Sequence, residues 1–327
     1  MIERLGQLFI TGFDTEKPSD EFLEFIGKEG IGGVILFEPN CNPHSLAEDS
    51  IKQIQSVSAV TPFIGVDQEG GRVCRFRGVP AEYEAPSIYG EKENLELFTE
   101  HYERAVYYLN SLGINLVFGP VADLNLNKAN ACIKGRTFGQ NPAKVIPFID
   151  EAVRLAGRAG IISCLKHFPG FGAACNDPHQ KMAVAKYDFQ TFVNREALTF
   201  KAGIAGGADM IMTTHMILSA FDDYPVTVSE LIIRKLLRET LDFDGIAITD
   251  DLLMGGAEEL GPVGERALKA FQAGHDMLLF GSDFRAAREA LQYFKKAYRN
   301  GHVDKSRVGV SLDRISGIKS KLIIPVT

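Results

Sequence analysis

The run IISCLKH (161–167) is apolar for five residues and then turns polar on Lys166 and His167. The segment before it, 143–160, has the periodicity of an amphipathic helix, and the stretch after it, KHFPGFGAACNDPHQ (166–180), is broken by Gly and Pro. A short buried strand entered from a helix and left through an irregular loop is one β/α unit. The same kind of apolar run recurs along the chain: LGQLFITG (5–12), GVILF (33–37), FIGVD (63–67), INLVF (114–118), DMIMTTH (209–215), GIAITDD (245–251) and DMLLFG (276–281). Between the runs lie segments of helical periodicity at 44–59, 95–112, 189–206, 229–241 and 283–300, with Ser229 placed to cap SELIIRKLLRE.

Strict alternation of strand and helix implies a parallel sheet with right-handed crossovers, and eight units are the number that closes a barrel. The expected fold is α/β, a (β/α)8 TIM-type barrel spanning residues 1–327 as a single domain, with an open doubly wound sheet as the alternative. The long connections follow the third, fourth and fifth runs, whereas the returns from helix to strand are short. All the elaborated loops therefore lie at the C-terminal end of the strands, the face on which barrels carry their active sites.

Composition narrows the class of partner. Hydrophobic residues at 45% and charged ones at 24% suit an ordinary globular core and argue against disorder. A net charge of -7 without a basic run leaves no footprint for nucleic acid or anionic lipid, so a small molecule or carbohydrate is the expected partner. The N-terminal apolar run is too short and interrupted for a signal peptide and no window reaches membrane-spanning length, so a cytoplasmic protein is expected. The cysteines Cys41, Cys74, Cys132, Cys164 and Cys175 are scattered and lack a C-x-x-C pair, which suggests reduced thiols rather than disulfides or a zinc knuckle.

Polar residues collect at the ends of the runs: Asp67, Lys166 with His167, Thr214 with His215, and Asp250 with Asp251. Any one of them is compatible with a capped turn, but side chains from four strand ends converge on one barrel mouth. In the loop after the fifth run, Asp177 and His179 form a D-x-H pair in which the carboxylate fixes the imidazole tautomer and leaves the other nitrogen to move a proton. After the third run, the paired Gly70 and Gly71 allow a sharp turn that lets Asp67 and Arg75 face a common ligand. Spacing does not choose between Asp250 and Asp251.

DQEGGRVCRF (67–76), GPVADLN (119–125), KGRTFGQNP (134–142), KHFPGFG (166–172), the D-x-H at 177–179 and ITDDLLMGGA (248–257) together resemble, in order, the motifs of the family 3 glycoside hydrolases. Within that family the chain is similar to the single-domain bacterial β-N-acetylglucosaminidases of peptidoglycan recycling. The resemblance implies Asp250 as nucleophile, His179 as acid/base and Asp177 as its dyad partner. It also implies Asp67, Arg75, Arg136, Lys166 and His167 as the residues holding an N-acetylglucosamine ring, with no metal or other cofactor. The implied chemistry is double displacement through a covalent glycosyl-enzyme.

One loop departs from the family pattern, in which KHFPGHGDT leads to D-S-H and Leu-Pro. Here Phe171 stands for the second His, Ala173 and Ala174 for Asp-Thr, Pro178 for Ser, and Met182-Ala183 for Leu-Pro. Lost hydrogen-bonding groups beside the dyad imply altered substrate preference or reduced activity, because a misplacement of about 1 Å costs on the order of a hundredfold in rate. The alternatives are a β-N-acetylglucosaminide phosphorylase or β-glucosidase of the same family, a catalytically weak sugar-binding relative, and a metal-dependent barrel hydrolase using His167, His215 and Asp250.

Overall fold

In a computed structural model that describes residues 1–175 and 182–322, each of the eight apolar runs supplies a strand to one parallel sheet. The strands are β1 (Phe9–Thr11), β2 (Gly33–Leu36), β3 (Phe63–Val66), β4 (Leu116–Val117), β5 (Ile162–Phe168), β7 (Met210–Thr213), β9 (Ile246–Ile248) and β10 (Leu278–Phe280). β6 (Ala183–Ala185) and β8 (Met216–Leu218) pair with each other outside that sheet. Every barrel strand is buried along its whole length, which is why the runs read as continuous apolar stretches rather than alternating ones.

Two contacts decide between a barrel and an open sheet. β1 pairs with β10 in the register Phe9↔Leu278, and the last gap is bridged in parallel at Ile248↔Met277. Across that gap the Thr249 amide donates to the Met277 carbonyl at 3.2 Å and the Met277 amide to the Ala247 carbonyl at 3.1 Å. The sheet closes on itself, and the open alternative falls.

Expected helices appear at His44–Val57, Leu95–Ser111, Pro142–Arg158 and Phe284–Arg299. Ser229 caps as expected, its hydroxyl accepting from the Ile232 amide at 3.1 Å. The structure adds helices at Asp20–Glu29, Val263–Gln272 and Lys305–Lys319. The first run is the one correction to the strand positions, because Ile2–Leu8 winds as a 3-10 helix and only Phe9–Thr11 is extended. Leu5, Gly6, Gln7 and Leu8 are all buried in that helix, and a short fully buried apolar run looks the same in either conformation.

The same helix organises the floor of the barrel. Gln7 donates to the Gly30 carbonyl at 2.7 Å and accepts from the Lys319 ammonium at 2.8 Å. Lys319 is 8% exposed and its amine lies 4.9 Å from the Phe63 ring centre. Burial holds the Lys319 pKa down at about 7. The folded protein therefore releases this proton near pH 7, whereas the unfolded chain keeps it to about pH 10.4. The unfolded state binds more protons between those limits, so stability rises with pH there and the full cost is felt below pH 7. Lys319→Met is expected to stabilise the protein by about 2–3 kcal/mol at pH 6, with the gain shrinking toward pH 10. Urea unfolding at the two pH values measures it, and an equal gain at both removes the buried charge as the cause.

Candidate active site

The C-terminal ends of the strands enclose a cavity of about 500 Å³ lined by Asp67, Glu69, Arg136, Lys166, His167 and Asp250, among others. β3 ends at Val66, so Asp67 leaves the sheet at the mouth of the barrel. The chain then turns back through Gly70 and Gly71, at φ of +85° and +57°, conformations that favour glycine. A Cβ on Gly70 would also sit 2.4 Å from the Glu84 carbonyl oxygen. This turn carries Arg75 back to Asp67, with Nη2 3.2 Å from Oδ2.

β5 delivers Lys166 and His167. Its ladder with β7 shifts register between Leu165 and Phe168, and adjacent residues at such an irregularity can both face the pocket. Lys166 Nζ lies 2.7 Å from Asp67 Oδ1 and 2.6 Å from Glu69 Oε1. Glu69 in turn accepts two bonds from Arg136, at 2.6 Å from Nε and 2.7 Å from Nη2. Arg136 comes from the long loop after β4, and its Nη1 donates to the Cys132 carbonyl at 3.0 Å.

These four groups form a buried chain of alternating charge. Burial alone pushes the Asp67 and Glu69 carboxyls up, but the Lys166, Arg75 and Arg136 cations outweigh it and hold both below the usual carboxylate range. Burial likewise pulls Lys166 and Arg136 down, and the carboxylates overcome it and raise both. All four groups are therefore charged at neutral pH. They present fixed donors and acceptors without moving a proton themselves.

His167 is held differently. Its Nδ1–H donates to Asp123 Oδ2 at 2.7 Å, which fixes the tautomer and leaves Nε2 to face Arg136 Nη2 at 3.4 Å. The other oxygen of Asp123 accepts from the Phe171 amide at 2.6 Å. Asp123 thus fastens the imidazole and the start of the divergent loop at one point.

The two adjacent acids after β9 have different surroundings. Asp251 Oδ1 accepts from the amides of Leu253 and Gly281 at 2.9 and 2.8 Å, tying its own loop to the end of β10. Burial raises its pKa, and the Asp250 charge adds to that. Asp250 Oδ1 accepts from the Asp251 amide at 2.8 Å, and no side chain pairs with its carboxylate among the described residues. Both acids line the cavity, Asp251 with one oxygen holding two backbone amides and Asp250 with one oxygen holding a single amide.

The structure brings together Asp67, Arg75, Arg136, Lys166, His167 and Asp250 around one cavity. Asp177 and His179 lie outside the described residues. His215 does not join the cavity: its Nδ1 is 2.7 Å from Thr227 Oγ1 and its Nε2 2.8 Å from the Asp251 carbonyl. Both ring nitrogens are engaged, so it cannot serve the metal-ligand role considered for it without breaking these bonds. Among the described residues no cluster of three metal-ligating side chains occurs.

Sequence reasoning passed over Glu69 and Asp123, although both lie inside quoted motifs. Their partners, Arg136 and Lys166 for Glu69 and His167 for Asp123, come from other parts of the chain, so no local pattern marked them. The altered loop after β5 also has supports that its own residues do not reveal. Asn130 Nδ2 donates to the Phe171 carbonyl at 3.1 Å and Asn127 Nδ2 to the Ala174 carbonyl at 3.0 Å. These bonds reach the backbone, so they are indifferent to the side chains that changed. Phe171 itself is buried and turns edge-on toward His167, with ring centres 6.4 Å apart.

Residues 1–318 match the family described as "Glycosyl hydrolase family 3 N terminal domain". Among curated relatives, a beta-hexosaminidase of Photobacterium profundum is 31% identical over 291 residues, covering 88% of this chain and 85% of that protein. A beta-hexosaminidase of Vibrio cholerae is 32% identical over 286 residues, covering 87% of this chain and 84% of that one. Among solved structures, a glycoside hydrolase family 3 beta-N-acetylglucosaminidase from a Paenibacillus species superposes with a TM-score of 0.95 at 30% identity. That match covers 100% of this chain but 64% of the other, so this chain spans less than two thirds of its length. A beta-N-acetylhexosaminidase from Beutenbergia cavernae gives a TM-score of 0.90 at 25% identity, covering 97% of this chain and 98% of that one. No helix among the described residues is long and apolar enough to cross a membrane.

Proposed function

Because this chain belongs to glycosyl hydrolase family 3, we propose that it is a retaining β-N-acetylhexosaminidase releasing a terminal β-linked N-acetylglucosamine. The supporting observation is the distribution of charge in the cavity. Asp67 and Glu69 are paired with cations and Asp251 Oδ1 holds two backbone amides, whereas Asp250 takes one amide bond and pairs with no side chain among the described residues. A nucleophile needs that freedom, and the paired groups suit the ring hydroxyls and the amide of the bound sugar.

In this reading Asp250 attacks the anomeric carbon while the leaving-group oxygen takes a proton from His179, and a glycosyl ester on Asp250 forms. Water then attacks the same carbon, His179 takes the water proton, and the ester breaks with net retention. Asp177 orients His179. Asp67, Arg75, Arg136, Lys166 and His167 hold the ring, their geometry fixed by the ion pairs and the Asp123 bond before substrate arrives. Cell-wall fragments in the cytoplasm, rich in N-acetylglucosamine, are the proposed source of substrate.

The test is trapping. Incubation with a mechanism-based 5-fluoro-N-acetylglucosaminide, followed by proteolysis and mass spectrometry, is expected to place one sugar label on Asp250. A label on another residue overturns the assignment of the nucleophile.

A further inference from the structure

Arg72 stands apart from the other cations of the cavity. Lys166, Arg75 and Arg136 each have a carboxylate partner, whereas no carboxylate pairs with Arg72 among the described residues. Its guanidinium is nevertheless held in place: Nη2 donates to the Ala131 carbonyl at 2.9 Å and also to the Cys132 carbonyl. The Cys132 carbonyl accepts from Arg136 as well, so the rim arginine and the buried one are anchored on the same oxygen. With Nη2 engaged, the Nη1 and Nε donors of Arg72 have no partner among the described residues.

Depth decides what those donors meet. Lys166 and Glu69 have side chains 3% and 1% exposed and form the floor, where a sugar ring is gripped. Arg72 is exposed and lines the outer wall of the same cavity. A group on the rim faces the portion of substrate that protrudes from the floor, which is the leaving group. A fixed guanidinium that has no carboxylate partner and two free donors among the described residues favours a carboxylate there over a neutral group of the same shape. Resting on the glycosidase reading above, we propose that Arg72 selects substrates whose leaving group carries an anionic substituent, a carboxylate in particular.

A purely structural arginine would staple the loop after β3 to the loop after β4 and would not distinguish charged from neutral substrates. The experiment therefore reads a ratio, so that any general loss of activity cancels. kcat/KM is measured for 3-carboxyphenyl and 3-carbamoylphenyl N-acetyl-β-glucosaminides with the wild-type protein, Arg72→Gln and Arg72→Lys. The wild type is expected to prefer the carboxylate five- to tenfold, through KM. The preference should shrink with added salt, fall to about one in Arg72→Gln and survive in part in Arg72→Lys. Calorimetric binding of the corresponding uncleavable thioglycosides is expected to give the same order of preference. If neither glycoside is cleaved while the thioglycosides keep the preference, the hydrolase reading fails and the role of Arg72 stands. A wild-type preference at or below one, or a preference unchanged in Arg72→Gln, overturns the proposal.

Discussion

Asp250→Ala is expected to lower kcat on a chromogenic N-acetyl-β-glucosaminide by about 10⁴- to 10⁶-fold, a loss of about 5–8 kcal/mol of transition-state stabilisation. The magnitude follows from removing the bond-forming atom of the proposed mechanism. Asp67 and Glu69 are locked in ion pairs, and Asp251 is occupied by the Leu253 and Gly281 amides. The substitution should leave the fold intact, because among the described residues the Asp250 side chain makes only the bond to its neighbour's amide. A melting temperature within about 2–4 °C of wild type, corresponding to about 1 kcal/mol or less, is the matching expectation. Residual activity above a tenth of wild type would show that Asp250 is not the nucleophile. The adjacent acid supplies the contrast: Asp251→Ala removes the carboxylate that ties the β9 loop to β10, so its damage should appear in stability as well as in rate.

That contrast also marks the limit of what sequence could supply. T-D-D-L places two identical side chains at one strand end, and neither spacing nor propensity distinguishes them. The difference lies in which carboxylate meets the amides of Leu253 and Gly281, the second of them 30 residues along the chain. The resemblance to family motifs selected Asp250, and the packing separates the two side chains by their backbone partners.

The strands were legible because parallel barrel strands are buried on both faces and stand out as apolar runs. Closure was not, since it rests on the pairing of Ile248 with Met277 and Phe9 with Leu278, contacts between chain segments that no local pattern encodes. The helix Asp20–Glu29 was readable in hindsight. Ser19 accepts from the Phe22 amide at its start and Gly30 ends it in the left-handed region, both ordinary boundary signals. Ile2–Leu8 misled because burial erased the periodicity that separates a helix from a strand. Among site residues, Asp67, Lys166 and His167 were visible at strand ends. Glu69 and Asp123 were not, because their roles depend on partners brought in from other loops.

Glu69→Gln is expected to destabilise the protein by about 3–5 kcal/mol and to impair sugar binding, although Glu69 itself lies below the groups proposed to hold the ring. The Glu69 carboxylate is 1% exposed and carries bonds from Arg136 and Lys166 at once. An amide in its place keeps the shape but removes the charge, which leaves a buried guanidinium and ammonium with the single carboxylate of Asp67 between them. Lys166 should then move toward Asp67, and Arg136 should lose its bidentate partner. KM should therefore rise along with the loss of stability. Acid has a related effect. Burial raises the Glu69 carboxyl, but Arg136 and Lys166 depress it further, so its folded pKa lies below the unfolded one. The stabilisation is complete above the unfolded value of about 4.3 and is lost as pH falls through the folded one. Urea unfolding at pH 7 and pH 3 should show a smaller gap between wild type and Glu69→Gln at the lower pH. A companion variant, Glu69→Leu with Arg136→Met, separates stability from function. An apolar pair of similar volume should recover much of the stability, since a buried ion pair is not in itself a strong source of it. Sugar binding should not return, because Arg136 and the charge that positions Lys166 are both gone. Recovery of binding in that double variant would mean that the charged chain beneath the ring serves packing alone.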